Sequence, residues 1–431
     1  MAAGPPSNNR AQSKLFEPLK IADGKITLKH RVVLAPLTRN RGTPLNPDST
    51  FEHPNRVWVP NDLIVEYYAQ RATDGGLLIS EAVPPSLEGN GMPGVPGLFV
   101  PEQIAGWKKV TDAVHAKGGF IYAQLWHSGR VNVPQMTGTP ILAPSSIPWE
   151  DPDETFSYPI PHTDTRVRIA DYPPTAMSTA QIRSTIEDYC AAARAAVGEA
   201  GFDGVEVHGA NGYLPEHFLS SNSNRRTDAY GGATVEGRCR FPLELMAALA
   251  DAVGQENVAI RLSPFGLFNQ ARGDQRLETW SHLCRELRRA LPRLSYVSFI
   301  EPRFEQLLAA GEKDRFLASW GLADVDLAPF RAIFSGGGDS DGSAARPTPF
   351  FSAGGFNDTN AWGVLERTGY DALLFGRWFT SNPDLVERLR HGWPLRPYDR
   401  SRFYGPFEDN AVGYVDYPFY KEGDVSIPAK A

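Results

Sequence analysis

A chain of 431 residues, 42% hydrophobic and 22% charged, is long enough to bury a large core without disulfides or structural metals. Its 43 basic and 50 acidic residues give a net charge of −7 with no basic stripe, which excludes a nucleic-acid binder, and no run approaches the roughly 18 apolar residues of a membrane-spanning helix. The first ten residues lack the apolar stretch of a secretory signal, and Cys190, Cys239 and Cys284 are too few and too scattered for a disulfide framework or a cysteine zinc site, so a reducing, cytoplasmic setting is expected.

In chain order, residues 1–14 are expected as a disordered tail ahead of a single domain over 15–431. Residues 24–31 read as a short hairpin. Apolar runs then recur at 32–38, 75–82, 120–126, 204–211, 258–264, 296–302, 349–356 and 372–379. Most are continuous rather than alternating, which is the pattern of strands buried on both faces. Helical patterns lie between them. Ile104, Trp107, Val110 and Val114 share one face, closed by Gly118 and Gly119. Ile182, Ile186, Cys190, Ala193 and Val197 share another, opened by a Ser178/Gln181 capping box. Asp358 and Ser381 read as N-caps of two later helices. Strand–helix alternation repeated eight times predicts a parallel (β/α)8 TIM barrel with loop insertions on its C-terminal face; a doubly wound sheet is the other arrangement that such alternation allows. The proline-rich insertions 42–62 and 145–174 follow the first and third strands and so fall on that face. The stretch 335–347, rich in Gly, Ser and Asp, reads as a loop.

One motif misleads. Gly89-Asn-Gly-Met-Pro-Gly94 matches the dinucleotide fingerprint, but Pro93 and Pro96 stand where a helix should open, so no dinucleotide site is expected there. The nine histidines are scattered without ligand spacing, and no metal is expected.

The chemistry is concentrated at the strand ends. His208 closes the fourth run, and Asn211 and Tyr213 follow it. An imidazole and an amide can aim two N–H donors at one oxygen, binding a carbonyl or phenolate and stabilising charge on it. Tyr213 adds a hydroxyl able to act as a general acid. Taken alone, the same residues equally describe a His and a Tyr packed at a barrel rim and satisfied by backbone. The other strand ends decide between the two. The first run offers Thr38 and the third Gln124; the fifth places Arg261 inside an apolar run, where a buried cation needs an anionic or accepting partner. The seventh and eighth end in Gly354, Gly355, Gly376 and Arg377, which suit a phosphate. The set describes a flat heterocycle with hydrogen-bonding edges, a reducible centre and a phosphate tail. FMN fits.

These residues lie in motifs that resemble the Old Yellow Enzyme family of flavin-dependent ene-reductases, its fungal members especially. The markers are Ala35-Pro-Leu-Thr38, Glu66-Tyr-Tyr68, Gln124-Leu-Trp126, the stretches 208–213 and 224–232, Arg261-Leu-Ser-Pro264, Phe375-Gly-Arg377, Ser381-Asn-Pro-Asp-Leu385 and Gly413-Tyr-Val-Asp-Tyr-Pro418. They run in the family's order from about residue 15 to 420. The resemblance implies an NADPH dehydrogenase and ene-reductase that holds FMN non-covalently through Pro36, Thr38, Ala82, Gln124, Arg261, Gly354, Gly355, Gly376 and Arg377. Within that set Thr38 takes the flavin O4, Gln124 the pyrimidine edge and Arg261 the N1/O2 side. His208 and Asn211 become the carbonyl-binding pair and Tyr213 the proton donor, while Trp126 and Tyr404 shape the substrate side. NADPH would pass a hydride to flavin N5 and leave. An α,β-unsaturated carbonyl compound would then take hydride at its β-carbon and a proton from Tyr213 at its α-carbon. The chain departs from the family at Gly355, where relatives often carry Asn. The implied partners are small molecules, with the protein a monomer or homodimer. Two other outcomes stay open: isomerisation or desaturation on the same FMN site, and an idle binding barrel.

Overall fold

The computed structural model describes residues 7–304, 308, 311–322, 324–336 and 346–424. Each apolar run gives one strand, the second extending one residue past its run: β1 Val32–Leu34, β2 Leu77–Val83, β3 Phe120–Leu125, β4 Gly204–Gly209, β5 Val258–Leu262, β6 Val297–Ile300, β7 Phe350–Ala353 and β8 Ala372–Phe375. Each pairs in parallel with the next, and β8 closes on β1. The barrel expected from the alternation is therefore the observed fold. β2, β4 and β5 are buried at every position, because helices cover the outside of the barrel and side chains fill its inside.

The lower interior is apolar and aromatic. Tyr296 stacks on Phe351 with ring centres 4.4 Å apart, and Tyr122 tilts against Tyr296 at 5.5 Å. Gly204 is the residue that lets Tyr122 fit, since a Cβ there would approach Tyr122 Cε1 to 2.2 Å. The floor is a hairpin in which Leu19–Ile21 pairs with Ile26–Leu28, and Ile21, Ala22, Ile26 and Leu28 join the interior cluster. It is the hairpin expected at 24–31, begun five residues earlier.

The helices of the outer layer are α1 Asp62–Arg71, α2 Pro101–His115, α3 Thr179–Gly198, α4 Val235–Val253, α5 Arg276–Ala290, α6 Ala328–Phe334, α7 Val364–Thr368 and α8 Leu385–His391. Trp107, Val110 and Val114 of α2 and Ile182, Cys190 and Ala193 of α3 are buried, as their spacing requires. The Ser178/Gln181 capping box forms in both directions. The two later caps do not. Gly363, in left-handed backbone, opens α7, while the Asp358 carbonyl accepts from Trp362 Nε1. Ser381 ends the short helix Arg377–Ser381, and Asp384 opens α8, held by an ion pair to Arg388 at 2.6 Å. A Ser or Asp caps a helix only from the residue just before its first turn, and neither Asp358, five residues ahead of Gly363, nor Ser381, at the end of the preceding helix, stands there.

Part of the tail expected over 1–14 is built into the fold. Residues 1–6 lie outside the described residues, but Ser7–Gln12 and Lys14–Phe16 form 3-10 turns, and the Arg10 guanidinium lies over the Trp362 ring at 5.1 Å. Both early insertions are ordered. In the first, Thr43–Pro44 pairs with Trp58–Val59. In the second, Phe156 N–H donates to the Val167 carbonyl and Ile160 N–H to that of Thr165, making a hairpin. Ser49 Oγ and His162 Nε2, 2.5 Å apart, join the two insertions. Of the loop expected at 335–347, residues 337–345 lie outside the described residues. No described helix is long and apolar enough to cross a membrane.

Candidate active site

A bulge in β2 starts the site. The pairing of β2 with β3 shifts between Ile79 and Ala82, which brings Ala82 opposite Gln124. The two residues inside the shift are used as anchors. Ser80 Oγ accepts the Gln124 N–H at 2.9 Å. Glu81 Oε2 accepts the N–H groups of Arg39 at 3.2 Å and Asn40 at 3.4 Å, fixing the chain where it leaves β1. Burial pushes the Glu81 carboxyl up to about 7, against those two hydrogen bonds. Just before Arg39, Thr38 Oγ1 accepts the Ala82 N–H at 3.4 Å, beside the half-buried Pro36.

Above the aromatic floor the interior turns polar, in two layers. Gln124 on β3 and Glu206 on β4 are cross-strand partners, and so are His208 on β4 and Arg261 on β5. Side chains two apart on a strand share a face, so His208 stands one layer above Glu206. Gln124 Nε2 donates to Glu206 Oε1 at 2.7 Å. Arg261 is 8% exposed, yet its Nε and Nη1 have no hydrogen-bond partner among the described residues. Buried guanidinium nitrogens without acceptors mark the place where a ligand's acceptors belong.

His208 Nδ1 accepts the Ala210 N–H at 3.4 Å. Burial first, and Arg261 second, hold the ring well below the usual imidazole range, so it is neutral. With Nδ1 accepting, the proton is on Nε2, which is left to donate. The segment after His208 is fixed at both ends of Asn211, a residue in left-handed backbone at φ 59°. Its N–H donates to Ser263 Oγ at 3.0 Å and its carbonyl accepts from Asn269 Nδ2 at 2.9 Å, which leaves its side-chain amide for a ligand. Behind this turn, Glu216 Oε2 accepts from the Gly212 N–H at 2.8 Å and from Ser263 Oγ at 2.7 Å. The wholly buried Arg276 donates to Glu216 Oε1 at 2.9 Å and to the Ser263 carbonyl at 3.1 Å. Tyr213 stands edge-on to Trp126, ring centres 5.2 Å apart, and to His208 at 5.0 Å. Burial, with Tyr404 second, raises its phenol pKa, so the hydroxyl keeps its proton at neutral pH. Trp126 is buried with its Nε1 unpartnered among the described residues, whereas Tyr404 is 56% exposed at the rim.

The far side of the mouth is built from glycines. Gly376 lies against the chain leaving β1, its Cβ position 3.4 Å from Leu37 Cδ2. Arg377 lies over the Phe304 ring at 5.1 Å, and the Cβ position of Gly355 is 3.6 Å from Phe304 Cδ2. Gly355 has φ 70°, a conformation that Asn also tolerates, so the departure at this position leaves the backbone path intact. Gly354 is buried against Glu301. Thr38, Ala82, Gln124, His208, Arg261, Asn211, Tyr213 and Trp126 thus form one connected wall, and Gly354, Gly355 and Arg377 a second group across the mouth, joined to it through Gly376. Sequence reading passed over Glu206, Ser263, Glu216 and Arg276. Glu206 did leave a signal, an acid in phase with His208 inside an apolar run. Nothing local in the sequence links Glu216 to Arg276, 60 residues away.

Comparison with known proteins places the chain among flavin oxidoreductases. The model of the NADH:flavin oxidoreductase / NADH oxidase family matches residues 14–310. Flavin oxidoreductase hxnT of Emericella nidulans is 46% identical over 411 residues, 94% of this chain and 97% of that protein. 12-Oxophytodienoate reductase 1 of Oryza sativa subsp. japonica is 38% identical over 415 residues, 95% of this chain and 94% of that one. Morphinone reductase in complex with tetrahydroNAD superposes with a TM-score of 0.76 at 38% identity, covering 96% of this chain and 99% of that one.

Proposed function

The chain belongs to the NADH:flavin oxidoreductase / NADH oxidase family, as an FMN- and NAD(P)H-dependent oxidoreductase of the Old Yellow Enzyme type, and from that premise we propose that it reduces the activated C=C bond of α,β-unsaturated carbonyl compounds at the barrel mouth. The observation that carries the placement is Arg261, buried beside His208 with Nε and Nη1 unpartnered among the described residues. The donor set suits FMN: Thr38, Gln124 and Arg261 for the ring edges, Pro36 and Ala82 for close backbone approach, and Gly354, Gly355, Gly376 and Arg377 for the phosphate. Residues 15–431 are read as one FMN-binding domain. When bound, FMN supplies the hydride chemistry, taking its electrons from NADPH.

The protein's own part is orientation, charge and one proton. His208 Nε2–H and the Asn211 amide hold the carbonyl oxygen and stabilise charge developing on it. Tyr213, protonated and fixed between Trp126 and His208, gives its proton to the α-carbon. Trp126 and Tyr404 bound the substrate side.

Two results are expected. Arg261→Ala removes a charge-assisted contact costing about 1.5–3 kcal/mol, so FMN should bind roughly 10- to 150-fold more weakly in a fluorescence titration. Unchanged affinity would remove Arg261 from the cofactor site. Because His208 is held neutral, with its protonation far below 6.5, lowering the pH from 8 to 6 should add no proton to it. The pH profile of kcat/KM for an enone should show no histidine inflection in that range. An inflection near 6.5 that disappears in His208→Asn would contradict this.

A further inference from the structure

Glu206 has no part in the mechanism above. It is wholly buried on β4, two residues before His208, and faces the barrel interior. Two of the FMN contacts proposed above depend on it. On β3, Gln124 Nε2 donates to its Oε1 at 2.7 Å. Burial raises the Glu206 pKa, and Arg261 on β5 is the charge that opposes this most; burial likewise lowers that of Arg261, with Glu206 the charge that opposes it most. The buried Tyr296 hydroxyl lies against the Glu206 carboxyl, while Arg261 Nε and Nη1 have no hydrogen-bond partner among the described residues. A carboxylate only accepts, so the end of the Gln124 amide turned toward it has to be the NH2 group. That leaves the Gln124 carbonyl oxygen as the free accepting end. The carboxylate also offsets the cation one layer above it, out of water, where a charge is felt strongly.

We propose that Glu206 is a positioning residue for FMN, which orients the Gln124 amide with its oxygen toward the ligand and sets the potential of bound FMN by offsetting Arg261. The proposal rests on the placement of FMN at the barrel mouth. Reduction puts negative charge on the ring, so a carboxylate nearby holds the potential down and its removal raises it.

Two variants separate the charge from the hydrogen bond. Glu206→Gln keeps the shape and removes the charge. It should tighten binding of reduced relative to oxidised FMN about tenfold, which for a two-electron couple raises the midpoint potential by about 30 mV. Glu206→Asp keeps the charge and draws it back from Gln124. It should leave the potential near the wild-type value while weakening FMN binding several-fold. Spectroelectrochemical titration of the FMN-loaded proteins, with FMN dissociation constants measured in parallel, gives both readouts. A potential in Glu206→Gln equal to or below wild type overturns the proposal. So does an equal upward shift in Glu206→Asp, the reading that still decides if the Gln variant does not fold. An Arg261→Ala protein that binds FMN normally would instead refute the placement on which the proposal rests.

Discussion

Tyr213→Phe is expected to leave FMN binding and reduction by NADPH near wild type while slowing reoxidation by an enone roughly 10²- to 10⁴-fold, the usual loss when a general acid is removed. The change deletes one oxygen and keeps the ring that packs edge-on against Trp126 and His208, so the wall should survive. The hydroxyl it removes belongs to a phenol whose pKa burial raises, which makes it a proton source at neutral pH and not a phenolate. Quinones accept their protons on oxygen and need no donor at carbon, so their reduction should suffer far less. Rapid mixing of the reduced variant with an enone, and separately with a quinone, gives both rates. Equal slowing by both oxidants would mean that the substitution distorts the site and that the proton comes from elsewhere.

The second large effect lies behind the site. Glu216→Ala should destabilise the protein by about 3–5 kcal/mol, because it leaves the wholly buried Arg276 without its counter-charge. It also takes away the acceptor for the Gly212 N–H and for Ser263 Oγ, the group that receives the Asn211 N–H. Loss of stability and loosening of the Asn211 turn are therefore expected together. Urea unfolding should show the first, and weaker binding of a phenol to the FMN-loaded protein the second. Replacing both partners by apolar residues, Glu216→Leu with Arg276→Met, should recover much of the stability, since no charge is then stranded. It should not recover phenol affinity, because the Gly212 and Ser263 contacts stay lost. A single Glu216→Ala variant within about 1 kcal/mol of wild type would show that the pair is not what holds this turn.

Much of this architecture is legible in the sequence for a definite reason. Strands buried on both faces leave uninterrupted apolar runs, so a polar residue inside one is conspicuous. Arg261 in Ile260-Arg-Leu262 and His208 after Val207 stand out in this way, and both line the mouth. The capping box before α3 is legible because its two residues are three apart and bond each other. Asp358 and Ser381 fail as caps because the residue type alone does not say where the preceding chain runs. The bulge in β2 leaves no mark in composition, although it decides that Ala82 faces Gln124 while Glu81 turns to Arg39 and Asn40. The contact between Glu216 and Arg276 belongs to the fold, between the short helix Leu214–Leu219 and α5, and no local pattern announces it. Tyr404 is named by the family resemblance alone and lies in none of its quoted motifs; only the fold brings it to the rim beside Tyr213.

The most direct test of the central claim is an anaerobic cycle on the purified protein. NADPH is added to the FMN-loaded enzyme, a panel of enones follows, and the products are identified. The account predicts that NADPH bleaches the flavin absorbance, that an enone restores it, and that the product is the saturated carbonyl compound. A protein that cannot be loaded with FMN, or one whose bleached form returns an isomerised, desaturated or unchanged enone, would contradict it.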